Sequence, residues 1–340
     1  MAEQKMRAAI VSKPGGEFEL VERTVPEPGP DEVRIKVDAC GICHSDIFVK
    51  QGLWPGITYP RAAGHEVAGV IDAVGARVTS FKKGQRVGVG WFGGKCGECR
   101  PCREGNFVNC RQPRATGISF DGGYQEFFTA PADAVAALPD GITDIEVAPL
   151  LCAGVTTYNA LRHSGAMPGD LVVVQGIGGL GHLGIQFASR FGYRVVAVGR
   201  GPANAPLAEK LGAERYLDTQ AVNAAEALQQ MGGARVILST APNSKAMSML
   251  FEGLGPDGKL MVVGASTEPL EITPIQLIGN RRSIQGWPSG TATDSEDAVN
   301  FAVQTGVRPM VETFPLERVN QAYERMMSGH AEFRVVMRLN

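Results

Sequence analysis

Four cysteines fall within fifteen residues, in the pattern Cys96-x2-Cys99-x2-Cys102-x7-Cys110. Four thiolates on one short loop close a tetrahedron around zinc and leave no position open, so such a site holds a loop rather than a substrate. Iron–sulfur ligation has similar arithmetic, and a zinc ribbon for nucleic acid is a further reading, although no basic surround accompanies it. Four unrelated thiols is the remaining alternative, and the clustering argues against it. A second set is dispersed along the chain. Cys43 lies in Cys40-Gly-Ile-Cys43-His44-Ser45-Asp46, His65 in Gly64-His65-Glu66, and Cys152 in Leu151-Cys-Ala-Gly-Val-Thr-Thr-Tyr158. Cys, His and Cys are the three protein ligands of a catalytic zinc whose fourth position stays free for substrate. Spacing alone does not separate this set from buried packing, the usual fate of a free cysteine.

The turn Gly176-Ile177-Gly178-Gly179-Leu180-Gly181 reads GxGxxG. An apolar strand, Asp170 to Gln175, leads into it, helical spacing follows from Leu180 to Phe191, and a second strand covers Arg194 to Val198. In that setting the first glycine makes a tight turn, the second lets backbone approach a pyrophosphate, and the third lets helix pack on strand. The helix N-terminus adds free N–H groups and a favourable dipole. A glycine turn without a nucleotide is the competing reading. Sites for NAD place an acid at the end of the second strand, for the ribose 2′-hydroxyl. Here that end is Val198-Gly199-Arg200. No acid is present to repel a 2′-phosphate, and Arg200 offers it a bidentate partner. The sequence therefore predicts NADP(H), with NAD(H) the alternative if Arg200 is a solvated turn residue.

These residues need two kinds of scaffold. Residues 7–150 read as β-rich, with polar and apolar residues alternating at Arg34 to Asp38 and short β-branched runs at Val67 to Val74 and Gln85 to Val89. From about residue 154 strands alternate with helices: after the glycine turn come a helix at Ala205 to Leu211 and strands at Val236 to Thr240, Lys259 to Gly264 and Ser283 to Gly286. That rhythm implies a parallel sheet with right-handed crossovers. The tail, Asp294 to Asn340, carries one or two helices and a strand near Phe333 to Val336. In 340 residues, 33 basic against 35 acidic side chains leave a net charge of −2, which gives no electrostatic reason to expect nucleic acid or an anionic membrane as partner. Met1 to Arg7 is polar and unlike a signal peptide, and clustered Cys suits a reducing compartment, so a cytoplasmic location is expected.

The motifs together resemble the zinc-dependent alcohol dehydrogenases of the medium-chain dehydrogenase/reductase superfamily, nearest to the short tetrameric enzymes of bacteria and yeasts. Cys43-His-Ser-Asp46, Gly64-His-Glu66, the four-cysteine lobe, Leu151 to Tyr158 and Gly176 to Gly181 carry the resemblance in that order over essentially the whole chain. It implies an α/β protein: a GroES-like catalytic domain at 1–153, with a lobe at about 92–113, a Rossmann domain at 154–286, and a return to the catalytic domain at 287–340. It implies Cys43, His65 and Cys152 as catalytic zinc ligands, Glu66 as an acid able to bind the metal transiently, and Cys96, Cys99, Cys102 and Cys110 as structural zinc ligands, two Zn2+ per chain. Asp46 matches a carboxylate that orients the ligand histidine. Ser45 matches the hydroxyl that takes the alcohol proton, and His44 a cation near the cofactor pyrophosphate. Thr156 and Thr157 match nicotinamide contacts, and Arg334 a pyrophosphate-binding arginine. At Phe48 many such enzymes have a histidine that ends the proton relay, and phenylalanine carries no proton.

Trp54, Trp91 and Trp287 are candidate pocket walls, with core packing the alternative for each. Walls of this kind suit primary alcohols and unbranched or aromatic aldehydes. His163, His182 and His330 lack metal-like spacing, and Cys40 reads as a small buried hydrophobe. The resemblance implies a homotetramer or homodimer acting on a small alcohol or aldehyde. Polyol or formaldehyde oxidation, alkene reduction, and a non-catalytic NADPH-binding protein are the competing functions.

Overall fold

The computed structural model describes residues 3–339; Met1 and Ala2, at the start of the polar Met1 to Arg7 stretch, and Asn340 at the end of the tail lie outside them. The chain divides into two compact units, one running to Val155 and resuming at Ser289, the other Thr156–Pro288. The first unit opens with β1 (Lys5–Val11), β2 (Phe18–Thr24), β3 (Glu32–Ile42), β4 (Arg61–Ala62), β5 (Val67–Val74), β6 (Arg86–Val89), β7 (Phe127–Pro131) and β8 (Val135–Ala137). The second holds β9 (Leu171–Gln175), β10 (Arg194–Gly199), β11 (Arg215–Asp218), β12 (Ala234–Ser239), β13 (Leu254–Val262) and β14 (Ser283–Gly286). The chain then returns to the first unit through β15 (Val311–Pro315) and β16 (Arg334–Arg338).

In the first unit, seven strands form a sheet in the order β15-β16-β3-β5-β6-β8, with β7 also paired to β3. The start of β3 alternates as its sequence does, with Val33, Ile35 and Val37 buried in one core with Val67, Ile71 and Phe128. Alternation stops after Val37 because the other face is covered too: Ala39 and Val336 pack on Ala148 of the helix Asp144–Pro149. That helix departs from the β reading of residues 7–150. Thr143 and Glu146 close a capping box at its N-terminus, which satisfies backbone donors that a strand would have paired elsewhere.

The second unit is a six-stranded, wholly parallel sheet in the order β11-β10-β9-β12-β13-β14. This is the expected doubly wound Rossmann order, with the reversal beside β9. All five residues of β9 are buried, as a central strand covered on both faces requires. The strands differ from expectation at their ends, and β11 was not foreseen: Arg-Tyr-Leu-Asp has a single fully buried apolar residue, Leu217. No helix among the described residues is long and apolar enough to cross a membrane.

Candidate functional site

Three segments of the first unit converge. Cys43 follows β3 and caps a short turn, His44–Asp46. His65 and Glu66 lie just before β5. Cys152 sits in a π-helical turn, Leu150–Gly154, that continues the Asp144–Pro149 helix; such bulges in helices recur at functional sites. The Sγ atoms of Cys43 and Cys152 lie 3.7 Å apart, and the ligand atoms of Cys43, His65, Glu66 and Cys152 all fall within 4.8 Å of one another. His65 Nδ1 meets Asp46 Oδ1 at 3.2 Å, which leaves Nε2 buried with no hydrogen-bond partner. Glu66 is fully buried, pairs through Oε1 with Arg334 Nη2, and has no partner for Oε2. Gly41 makes the space for it: a Cβ there would come within 1.9 Å of Oε2. A metal ion would answer these unpartnered ligand atoms, since a buried polar atom without a partner costs about 1–3 kcal/mol.

The electrostatics agree. The hydrogen bond from Cys152 pulls the Cys43 thiol well below its ordinary range, and the same contact, with burial, pushes Cys152 well above it. Burial opposes charge on His65, yet Asp46 and Cys43 together hold its pKa well above the usual value. Burial pushes Glu66 up to about 7 against the pull of Arg334. Two thiolates do not share a dry site without a cation; a divalent ion deprotonates coordinating thiols outright.

Around this set, Ser45 is half-buried and His44 exposed. Trp91 meets the His65 ring edge-on at 4.9 Å between centroids. Trp54 lies 5.8 Å from Trp91, and Phe48 lies 5.4 Å from Trp54 and 6.4 Å from Trp91. The position without a relay histidine thus belongs to an aromatic group beside the metal set. Trp287, in the other unit, stacks on His163 at 4.5 Å. His182 is buried with Nδ1 2.9 Å from the Gly178 carbonyl, His330 is exposed, and the buried Cys40 thiol donates to its neighbour's carbonyl at 3.6 Å.

The ligand atoms of the second cysteine set all lie within 4.8 Å of one another. Sγ separations are 3.4 Å for Cys99–Cys102, 3.6 Å for Cys96–Cys110, 3.9 Å for Cys96–Cys102 and 4.0 Å for Cys99–Cys110. Ligands about 2.3 Å from a zinc would stand about 3.8 Å apart. Backbone N–H groups of Cys96 and Gln112 donate to Cys110 Sγ, and those of Cys99 and Arg111 donate to the Sγ atoms of Cys96 and Cys99. Backbone donors bring Cys99 down to about 6, while burial pushes Cys102 up to about 12.

In the second unit the glycine turn follows β9 directly. Gly176 has φ +89°, and a Cβ on Gly181 would come within 1.8 Å of the Gly176 carbonyl oxygen. A Cβ on Gly178 would meet nothing within 4 Å, so the protein itself leaves that space open for an approaching group. Ile177 is buried, Gly179 and Leu180 are half-buried, and the helix Gly181–Arg190 starts immediately after. Thr156 and Thr157 are buried at the start of the helix Val155–Arg162. Arg200 is exposed beyond β10, and a Cβ on Gly199 would lie 2.6 Å from the Tyr216 hydroxyl. A cavity of about 490 Å3 at these strand ends is lined by Gln175, Val198, Thr219, Val222, Ala246 and Leu250. Two contacts near these candidate ligands had no sequence signal. Tyr124 donates to Asp46 Oδ2 at 2.8 Å from a glycine-flanked loop. Arg334, expected at a pyrophosphate, is buried against Glu66, with Nε unpartnered.

Residues 29–140 match the family model of the alcohol dehydrogenase GroES-like domain, and residues 179–304 that of the zinc-binding dehydrogenase. The chain is 43% identical over 331 residues to alcohol dehydrogenase patD of Penicillium expansum, covering 97% of each. It is 40% identical over 336 residues to an alcohol dehydrogenase of Geobacillus stearothermophilus, covering 98% of this chain and 99% of that one. The solved structure of a cinnamyl alcohol dehydrogenase from Sorghum bicolor matches with a TM-score of 0.87 at 31% identity over 98% of both chains.

Proposed function

The chain belongs to the zinc-dependent alcohol dehydrogenases of the medium-chain dehydrogenase/reductase superfamily, and from that premise we propose that it moves hydride reversibly between NADP(H) and a primary alcohol/aldehyde pair. Its alcohol-oxidising class follows from the family. The finer reading rests above all on the unpartnered, buried Nε2 of His65 beside two thiols.

Cys43, His65 and Cys152 hold the catalytic zinc in this reading, with Glu66 able to replace one contact, and Cys96, Cys99, Cys102 and Cys110 hold a second, structural zinc. When bound, the zinc supplies Lewis acidity that lowers the pKa of an alcohol oxygen, and the nicotinamide supplies the hydride acceptor. The chain's own residues do the rest. Asp46 fixes the His65 ring so that Nε2 would be the atom that holds a metal. Ser45 takes the substrate proton by hydrogen bond and passes it on. Phe48 cannot, so the proton leaves through water or His44. Trp91 covers the His65 ring, and with half-buried Phe48 and exposed Trp54 it offers flat apolar faces, which favours unbranched or aromatic aldehydes; the Sorghum bicolor relative is named for an aromatic alcohol. Trp287 remains a wall in this reading, held by its stack on His163.

Gly176 to Gly181 cradle the pyrophosphate at the helix N-terminus, Thr156 contacts the nicotinamide, and the cavity at the strand ends takes the adenosine. NADP(H) is favoured over NAD(H) because Tyr216 occupies the space that a side chain at 199 would need, while Arg200 is free to pair with a 2′-phosphate. Arg334 serves first as the counter-charge of Glu66, and its guanidinium is the group this reading assigns to the pyrophosphate. A cytoplasmic, homo-oligomeric enzyme with seven reduced cysteines completes the reading.

Initial rates with NADPH and NADH across an aldehyde panel, together with metal analysis, test this. Two zincs per chain, faster turnover with NADPH, and loss of turnover but not of folding in Cys43→Ala are expected. A zinc-loaded chain inert with every aldehyde would overturn the reading.

A further inference from the structure

Asp46 grips two candidate metal ligands at once. Its Oδ1 faces His65 Nδ1 at 3.2 Å, and its Oδ2 accepts the backbone N–H of Cys43 at 2.9 Å. A third contact reaches the carboxylate from a segment that carries no ligand: Tyr124 donates its hydroxyl to Oδ2 at 2.8 Å. Both side chains are essentially excluded from water. Tyr124 is itself held rigidly. Its N–H donates to the Ala63 carbonyl at 3.0 Å, its carbonyl accepts from Ala9 at 2.8 Å, and its ring meets Phe18 edge-on at 5.6 Å. The ring also fills the place of a side chain at Gly64, where a Cβ would come within 2.4 Å of it. Burial and the nearby carboxylate push the phenol well above the ordinary tyrosine range, so the hydroxyl stays a donor.

We propose that Tyr124 is a positioning residue for the catalytic metal set, fixing Asp46 so that Asp46 fixes the His65 ring and the Cys43 backbone. The hydroxyl pins the carboxylate against rotation and draws off part of its charge. Asp46 holds Nδ1 of His65, and Nε2 is left for a metal. Outer partners of this kind govern metal retention, and their loss typically costs about 10–100-fold in affinity. The proposal rests on reading Cys43, His65 and Cys152 as ligands, and its test reads the metal rather than turnover.

The parent and Tyr124→Phe chains are stripped, reloaded with cobalt(II) and followed by absorption while a chelator removes the ion. Cys43→Ala supplies the blank that isolates this site from the four-cysteine lobe. Phenylalanine keeps the ring packing, so the metal-free variant should melt close to the parent. Its cobalt bands should shift, and release should be about tenfold faster. In an Asp46→Asn background the same substitution should have little further effect, because coupled partners are not additive. A 3-fluorotyrosine placed at 124 keeps the ring and strengthens the donor, and should slow release even if Tyr124→Phe does not fold. Unchanged bands and release, or full additivity with Asp46→Asn, would overturn the role of Tyr124 alone. A parent spectrum identical to the Cys43→Ala blank would overturn the ligand assignment and this role together.

Discussion

The proposed preference for NADP(H) turns on a single missing side chain. Gly199 ends β10 where other dinucleotide sites carry an acid, and the Tyr216 hydroxyl stands in the space its Cβ would enter, while donating to the Gly201 carbonyl at 2.7 Å. Gly199→Asp alone is therefore expected to destabilise the chain by about 1–3 kcal/mol through overpacking and to gain little with NADH. Adding Tyr216→Ala should relieve the strain and cut the NADPH-over-NADH ratio of kcat/KM by about tenfold or more, since about 1.4 kcal/mol at the 2′-position is a factor of ten. Cofactor kinetics and denaturant melts on both variants check this. The lack of an acid was visible in the sequence, but its steric cause was not, because Tyr216 comes from a neighbouring strand. The two cysteine sets differ in the same way. Cys96 to Cys110 is a local pattern, readable because its ligands share one loop. Cys43, His65 and Cys152 come from three separate segments, so spacing alone left them open and only the resemblance gathered them.

At the scale of elements, the glycine turn separates what the fold needs from what a ligand needs. Gly181 is required by the protein, since its Cβ would overlap the Gly176 carbonyl; Gly178 faces open space. Gly181→Ala should cost about 1–3 kcal/mol or more. Gly178→Ala should melt like the parent without cofactor, yet lose most of the stabilisation that NADPH confers, which for the parent is about 2.7 kcal/mol at one hundred times Kd. Thermal melts with and without NADPH distinguish the two. The strand–turn–helix here was legible because hydrophobic period and glycine positions coincide. The helix from Asp144 was less so: it lies in a β-rich stretch and includes Pro149, and the capping box at Thr143 was its one local sign. Strand β11 is short and carries too few apolar residues to announce itself.

For the molecule as a whole, the unit bearing both cysteine sets is assembled from distant parts of the chain. Strand β16 lies between β15 and β3, with Val335, Val336 and Met337 fully buried, and brings Arg334 to Glu66. A chain ending at residue 330 should lose its zinc and the cooperative melt of this unit. It exposes the edge of β3 and leaves a buried carboxylate without its cation, a loss worth about 3–5 kcal/mol by itself. Zinc content and calorimetry of that truncated chain check the expectation. The final strand was anticipated from the β-branched run at 333–336 but β15 was not, and the pairing of β16 with β3 is a long-range contact with no local mark. Domains generally fold in the order in which the ribosome delivers them, and β16 is delivered long after β3 and Glu66. Until β16 emerges, the nascent polypeptide carries Glu66 with no counter-charge and β3 with its Ala39–Ile42 edge unpaired. A chain nicked ahead of β16 is therefore expected to hold metal poorly, which metal analysis of the nicked chain would check.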